Sequence, residues 1–164
     1  MFVLVLDDQL SAADEAGVLQ AGRNRSEHLY ELIIESGHDA MLYDGRAANG
    51  MSELESGREA AEEIVRRLVS KFPTTSEEQP IECQIVLDLK WFDDEDYGRQ
   101  ILENLTDCKI LSVGKVVIWS VITDKSVRRR FLTQFEVPAD HVLDRAAAPA
   151  ERVLRLFGIR AESA

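Results

Sequence analysis

Short apolar runs that stop at acids constrain this chain more than any other feature. Phe2–Leu6 reads FVLVL without a polar residue, and Asp7-Asp8 follows at once. Ile85–Leu87 stops at Asp88, and Val116–Ile122 is the most apolar stretch in the chain. A run with no polar alternate position suits a strand buried on both faces, as in a parallel sheet covered by helices. Ala40–Tyr43, closed by Asp44-Gly45, and His141–Leu143 are shorter strand candidates.

Helix-period segments fill the gaps. Asn24 with Glu27 three residues on reads as a capping box; Leu29, Leu32 and Ile33 then share a face, and Gly37 is a stop. Ser52-Glu53-Leu54-Glu55 is a second box and predicts a helix start at Ser52. Leu54, Ala61, Ile64, Val65, Leu68 and Phe72 recur at helical spacing behind it, and Pro73 ends the pattern. Tyr97, Ile101, Leu102 and Leu105 mark a third helix. Asp124 is placed to cap a short basic helix with Arg128, Arg129 and Arg130. Pro149, a good first helical residue, opens a last helix with Val153, Leu154 and Phe157, which Gly158 ends.

Strands alternating with helices predict a five-stranded parallel sheet inside a three-layer α/β sandwich. One domain over residues 1–164 is expected, with an extended polar loop at 9–24 and an enlarged segment at 45–80. A chain of 164 residues with 45% apolar content can build such a core. The apolar runs are far shorter than the roughly 18 residues of a membrane span. No signal-peptide pattern opens the chain, so the expected location is cytoplasmic. A net charge of -11 argues against a sequence-blind nucleic-acid binder. Cys83, Cys108, His28, His38 and His141 lack zinc spacing.

Three of the acids fall where this architecture binds ligands, at the carboxyl ends of strands. Asp7 and Asp8 end the first strand and Asp88 ends the third. In a sheet of order 2-1-3-4-5 those strands flank the point where the order reverses. Three carboxylates in one crevice are costly without a cation, and Mg²⁺ favours oxygen ligands of this kind. Ser120 ends the fourth strand and adds a hydroxyl at the same edge.

Asp7-Asp8 after FVLVL, Asp88 in IVLDL and Ser120 in VVIWS resemble the response-regulator receiver domain of two-component signalling. The resemblance implies a flavodoxin-like fold of that strand order. It implies Asp7 and Asp8 as Mg²⁺ ligands, with Asp88 and the backbone carbonyl of Lys90 completing the set. It makes Asp88 the phosphoacceptor, Ser120 the switch hydroxyl, and puts His141 near the switch aromatic. The implied partners are a histidine kinase or phosphotransfer protein and a downstream protein target, with no nucleic acid and no membrane; the resemblance also allows a homodimer. The departure is at strand five. Where the family carries Lys-Pro this chain has Asp144-Arg145, and no lysine follows Lys125. Arg145 is the candidate replacement cation, with Lys90 and Lys125 behind it, although arginine and lysine differ in geometry.

Two other readings compete with a stand-alone phosphorylated receiver. One is a receiver-like module that binds a protein partner without phosphorylation. The other is a metal-dependent nuclease, since Asp88-Leu89-Lys90 matches a (D/E)xK element and Asp44 could be its upstream acid. No P-loop, GxGxxG or GxSxG motif occurs.

Overall fold

A computed structural model describes residues 1–8, 25–49, 52–92, 94, 96–121 and 125–160. Strands β1 (Phe2–Leu6), β2 (Asp39–Tyr43), β3 (Ile81–Leu87), β4 (Leu111–Ser120) and β5 (Val142–Asp144) alternate with helices α1 (Arg25–Glu35), α2 (Gly57–Lys71), α3 (Tyr97–Thr106), α4 (Lys125–Gln134) and α5 (Ala150–Leu156). The sheet runs β2-β1-β3-β4-β5 and every pairing is parallel. This is the expected flavodoxin-like α/β order.

Side-chain alternation along each strand builds two cores. Leu4, Leu6, Ile85, Leu87, Ile118 and Val142 face α2 and α3. Val3, Val5, Val86, Val117, Trp119 and Leu143 face α1 and α5. The continuous apolar run of β1 is thus explained, since each face of the strand is covered. Gly37 and Gly158 close α1 and α5 as expected. Each has positive φ and donates to the carbonyl three back, while the next residue donates five back, a Schellman stop.

Several boundaries move. β3 begins at Ile81 rather than Ile85, and β4 at Leu111 rather than Val116. Their first halves mix exposed or half-buried residues with buried ones, so no apolar run announces them. The register slips between Cys83 and Ile85, where β4 carries an extra residue. The Gln84 side chain takes up the disrupted bond there, its Oε1 accepting from the Lys115 N–H at 2.5 Å. The expected Ile122 end of β4 and the Asn24 and Asp124 caps lie outside the described residues. Pro149 sits at the N-cap of α5, one residue earlier than expected. The fifth strand starts at Val142, because His141 closes a 3-10 turn, Ala139–His141.

The start of α2 is corrected by four residues. Ser56-Gly57-Arg58-Glu59 carries the same box pattern as Ser52–Glu55, and it is the one used. Ser56 Oγ accepts from the Glu59 N–H at 3.2 Å, and Glu59 Oε2 accepts from the Glu55 N–H at 3.1 Å. Residues 52–54 instead pair back on the turn after β2, through Ala47 N–H to Ser52 O and Leu54 N–H to Gly45 O. A local pattern cannot choose between two boxes in tandem; this long-range pairing does. No helix among the described residues is long and apolar enough to cross a membrane.

Candidate functional site

The parallel ladder carries the acids to one edge. The Asp7 N–H donates to Tyr43 O on β2, and the Asp88 N–H donates to Leu6 O on β1. Both acids are therefore held by the sheet itself, one residue past its strand ends. One carboxylate oxygen from each of Asp7, Asp8 and Asp88 lies within 4.8 Å of the other two. These are the three acids singled out from the sequence.

Arg145 joins them. It follows β5, and its N–H donates to Ser120 O at 3.0 Å, which fixes its place on the edge. Its guanidinium is buried, donating through Nη2 to Asp7 Oδ2 and to Ser26 Oγ. Nη1 is 3.6 Å from Asp88 Oδ2, an ion pair longer than a hydrogen bond. The guanidinium carbon lies 5.0 Å from the centre of the Trp119 ring, a cation–π contact. Asp144 turns outward, exposed, and its Oδ1 accepts from the Ala146 N–H at 3.0 Å. So Arg145 enters the crevice and Asp144 does not.

Ser120 Oγ donates to Asp88 Oδ1 at 2.5 Å and accepts from the Leu89 N–H at 3.3 Å. Ser26, in the first turn of α1, donates to Asp7 Oδ2 at 2.8 Å. Asp7, Ser26, Asp88, Ser120 and Arg145 are all the buried polar or charged residues among those described. All five belong to this one network, so the fold spends its buried polarity in a single place.

The loop after β3 shapes the other wall. Asp8 Oδ2 accepts from the Phe92 N–H at 3.0 Å. Phe92 holds a φ of 50° to present that N–H, a conformation that costs on the order of 1 kcal/mol or more outside glycine. Its ring and those of Trp91 and Tyr97 pack together, Trp91 stacking on Tyr97 at 5.4 Å. The Trp91 indole N–H donates to Asp88 O at 2.6 Å. Gly98 lets α3 approach this turn: a Cβ there would sit 2.7 Å from the carbonyl oxygens of both Asp88 and Leu89.

Electrostatics make the crevice expectant. Burial, reinforced by the Asp7 charge, raises Asp88 from 3.8 to about 7, against the pull of the Ser120 hydrogen bond and of Arg145. Burial raises Asp8 to about 6, with the Phe92 N–H opposing and Asp7 adding to it. Asp8 Oδ1 is buried with no hydrogen-bond partner among the described residues. With all three acids ionised, three carboxylates against one guanidinium leave a formal charge of two negative, which a divalent cation would balance. The acids can therefore hold a metal ion, and the orphaned Asp8 oxygen fits that use.

Lys90, His141 and Asp44 are not among the buried polar residues that form the network. The Lys90 side chain is exposed. His141 Nδ1 is 3.3 Å from Val116 O, on β4 four residues before Ser120, and 4.0 Å separate its Nε2 from Asp140. Asp44 pairs with Arg46 at 3.4 Å and is not among the converging acids. Sequence reasoning missed Ser26, Trp119 and the Phe92 N–H. The available signal for Ser26 was its place in the first turn of a helix facing strand-end acids. No family model, curated protein or solved structure matches the chain.

Proposed function

We propose that this protein is a receiver-like signalling domain in which Asp88 accepts a phosphoryl group in the presence of Mg²⁺. The observation that carries the reading is the convergence of Asp7, Asp8, Asp88, Ser120 and Arg145 in one crevice at the point of strand-order reversal. Asp7, Asp8, Asp88 and the Lys90 carbonyl would hold the ion, which supplies charge neutralisation for phosphoryl transfer. An Asp88 carboxylate oxygen attacks phosphorus and forms an acyl phosphate. The bond from phosphorus to the donor breaks, and the donor leaves with its electron pair. Ser120, already on Asp88, is placed to donate to the incoming phosphoryl oxygen, and Arg145 stands in for the family's lysine.

The added charge and acceptor oxygens would redraw this network and, through the ends of β4 and β5, the adjoining surface. The proposed phosphodonor is a histidine kinase or phosphotransfer protein, and the proposed output is a protein target. Incubation with acetyl phosphate and Mg²⁺, read by intact mass, tests the reading. A single phosphoryl adduct that Asp88→Asn abolishes is expected; no adduct in the parent protein sinks it. One observation favours a second reading, a protein-binding module without phosphoryl chemistry: Arg145 already bridges Asp7 and Asp88 in the manner of a resident counter-ion.

A further inference from the structure

We infer that Arg145 and a divalent cation compete for Asp7, and that Ser26 is the positioning residue that sets the competition. The inference rests on the metal half of the proposed function and adds a regulation to it.

Asp7 Oδ2 accepts two hydrogen bonds, from Ser26 Oγ and from Arg145 Nη2. A carboxylate oxygen has about two lone pairs, so these donors occupy both. A cation on Asp7 must displace one of them from Oδ2, or take Oδ1 and share the carboxylate with the guanidinium, whose like charge opposes it. Arg145 is the donor with somewhere else to go. Its Nη1 stands 3.6 Å from Asp88 Oδ2, beyond hydrogen-bond range, so the guanidinium leans on Asp7 and only reaches toward Asp88. Its Nε has no partner among the described residues, although it is buried. The side chain is thus well gripped at one corner and poorly satisfied at the others.

Ser26 supplies the grip. Its hydroxyl donates to Asp7 and accepts from Arg145, locking the pair together from α1. Alternation along the strands explains why this helix is the one involved. Leu143 and Trp119 face α1 and α5, so Arg145, two residues past Leu143, falls on that same side of the sheet. Without metal, Arg145 neutralises Asp7. With metal on Asp7, the freed guanidinium closes on Asp88 or on a phosphoryl group carried there. The same residue serves the empty and the loaded states in turn, and Trp119 beneath it senses the move.

Calorimetric titration with Mg²⁺ alone, at pH 8 so that the acids are ionised, tests this in the parent protein and three variants. Arg145→Gln removes the competitor and is expected to bind Mg²⁺ about 50-fold more tightly, within the usual range of site-to-site coupling. Ser26→Ala loosens the grip without changing charge and is expected to tighten binding about fivefold; this variant decides the matter alone if Arg145→Gln does not fold. Ser26→Thr keeps the hydroxyl and should restore the parent affinity. Unchanged or weaker Mg²⁺ binding in Ser26→Ala and in folded Arg145→Gln overturns the inference. The readout is independent of phosphorylation. Tighter binding in the variants together with no acetyl-phosphate adduct sinks the proposed function and keeps the competition, while an adduct with unchanged affinities does the reverse.

Discussion

On α2, Glu63 accepts from Arg66 and Arg67, and on α3, Arg99 donates to Asp96 and Glu103. At the strand ends, one arginine stands among three carboxylates drawn from two strands, with one serine from a helix and another ending a third strand. The helix sets join residues three or four apart, in which at least one partner reaches water. Helix formation alone brings them together, and their charges roughly cancel. The strand-end set is buried, long-range in sequence and short of positive charge. Acids and arginines at the first kind of site say that the surface is solvated. At the second kind, their imbalance leaves buried negative charge that a cation could balance.

The contrast can be broken from either side. The largest effect is expected for Arg145→Gln. It strips a buried pair of its cation and should cost about 3–5 kcal/mol at pH 8 by urea denaturation. Millimolar Mg²⁺ should recover much of that loss, and a loss under about 1 kcal/mol would mean the pair is no more than a surface bridge. Next comes Asp88→Asn. The folded state holds a proton on Asp88 up to about pH 7, whereas the unfolded chain releases it near 3.8. Between those values the folded state binds more protons, so this group makes stability fall as pH rises from about 4 to about 7. Replacing it with Asn should therefore stabilise the metal-free protein at pH 8 by on the order of 2–4 kcal/mol, an advantage that shrinks toward pH 4. A flat difference between the two stability–pH curves would show that Asp88 titrates normally. The smallest effect belongs to the other region. Arg99→Gln should cost less than about 1 kcal/mol, and added salt should erase most of it.

Much of this architecture was legible in the residues. FVLVL and VVIW cannot be half-exposed strands without leaving apolar faces in water, so a covered parallel sheet followed. Once the strands are parallel, residues that end them reach the same edge whatever their separation in sequence. Asp7, Asp8, Asp88 and Ser120 were placed on that ground, and they do meet. The first halves of β3 and β4 were not legible, because Glu82, Ser112 and Lys115 reach water where the sheet edge opens. The true start of α2 was not legible either, because Ser52 and Ser56 offer equal caps.

What the chain settled by itself is therefore the covered parallel sheet and the acids that end its strands, since burial periodicity is written in the local sequence; the strand order came only with the family resemblance and is borne out by the fold. Which of Asp144 and Arg145 enters the crevice was decided only by tertiary structure. The pleat turns Arg145 toward α1, where Ser26, Asp7 and the Trp119 ring receive it, and leaves Asp144 to water. Local alternation puts the two residues on opposite faces of the sheet, but which face meets the acids is set by contacts 119 and 138 residues apart along the chain.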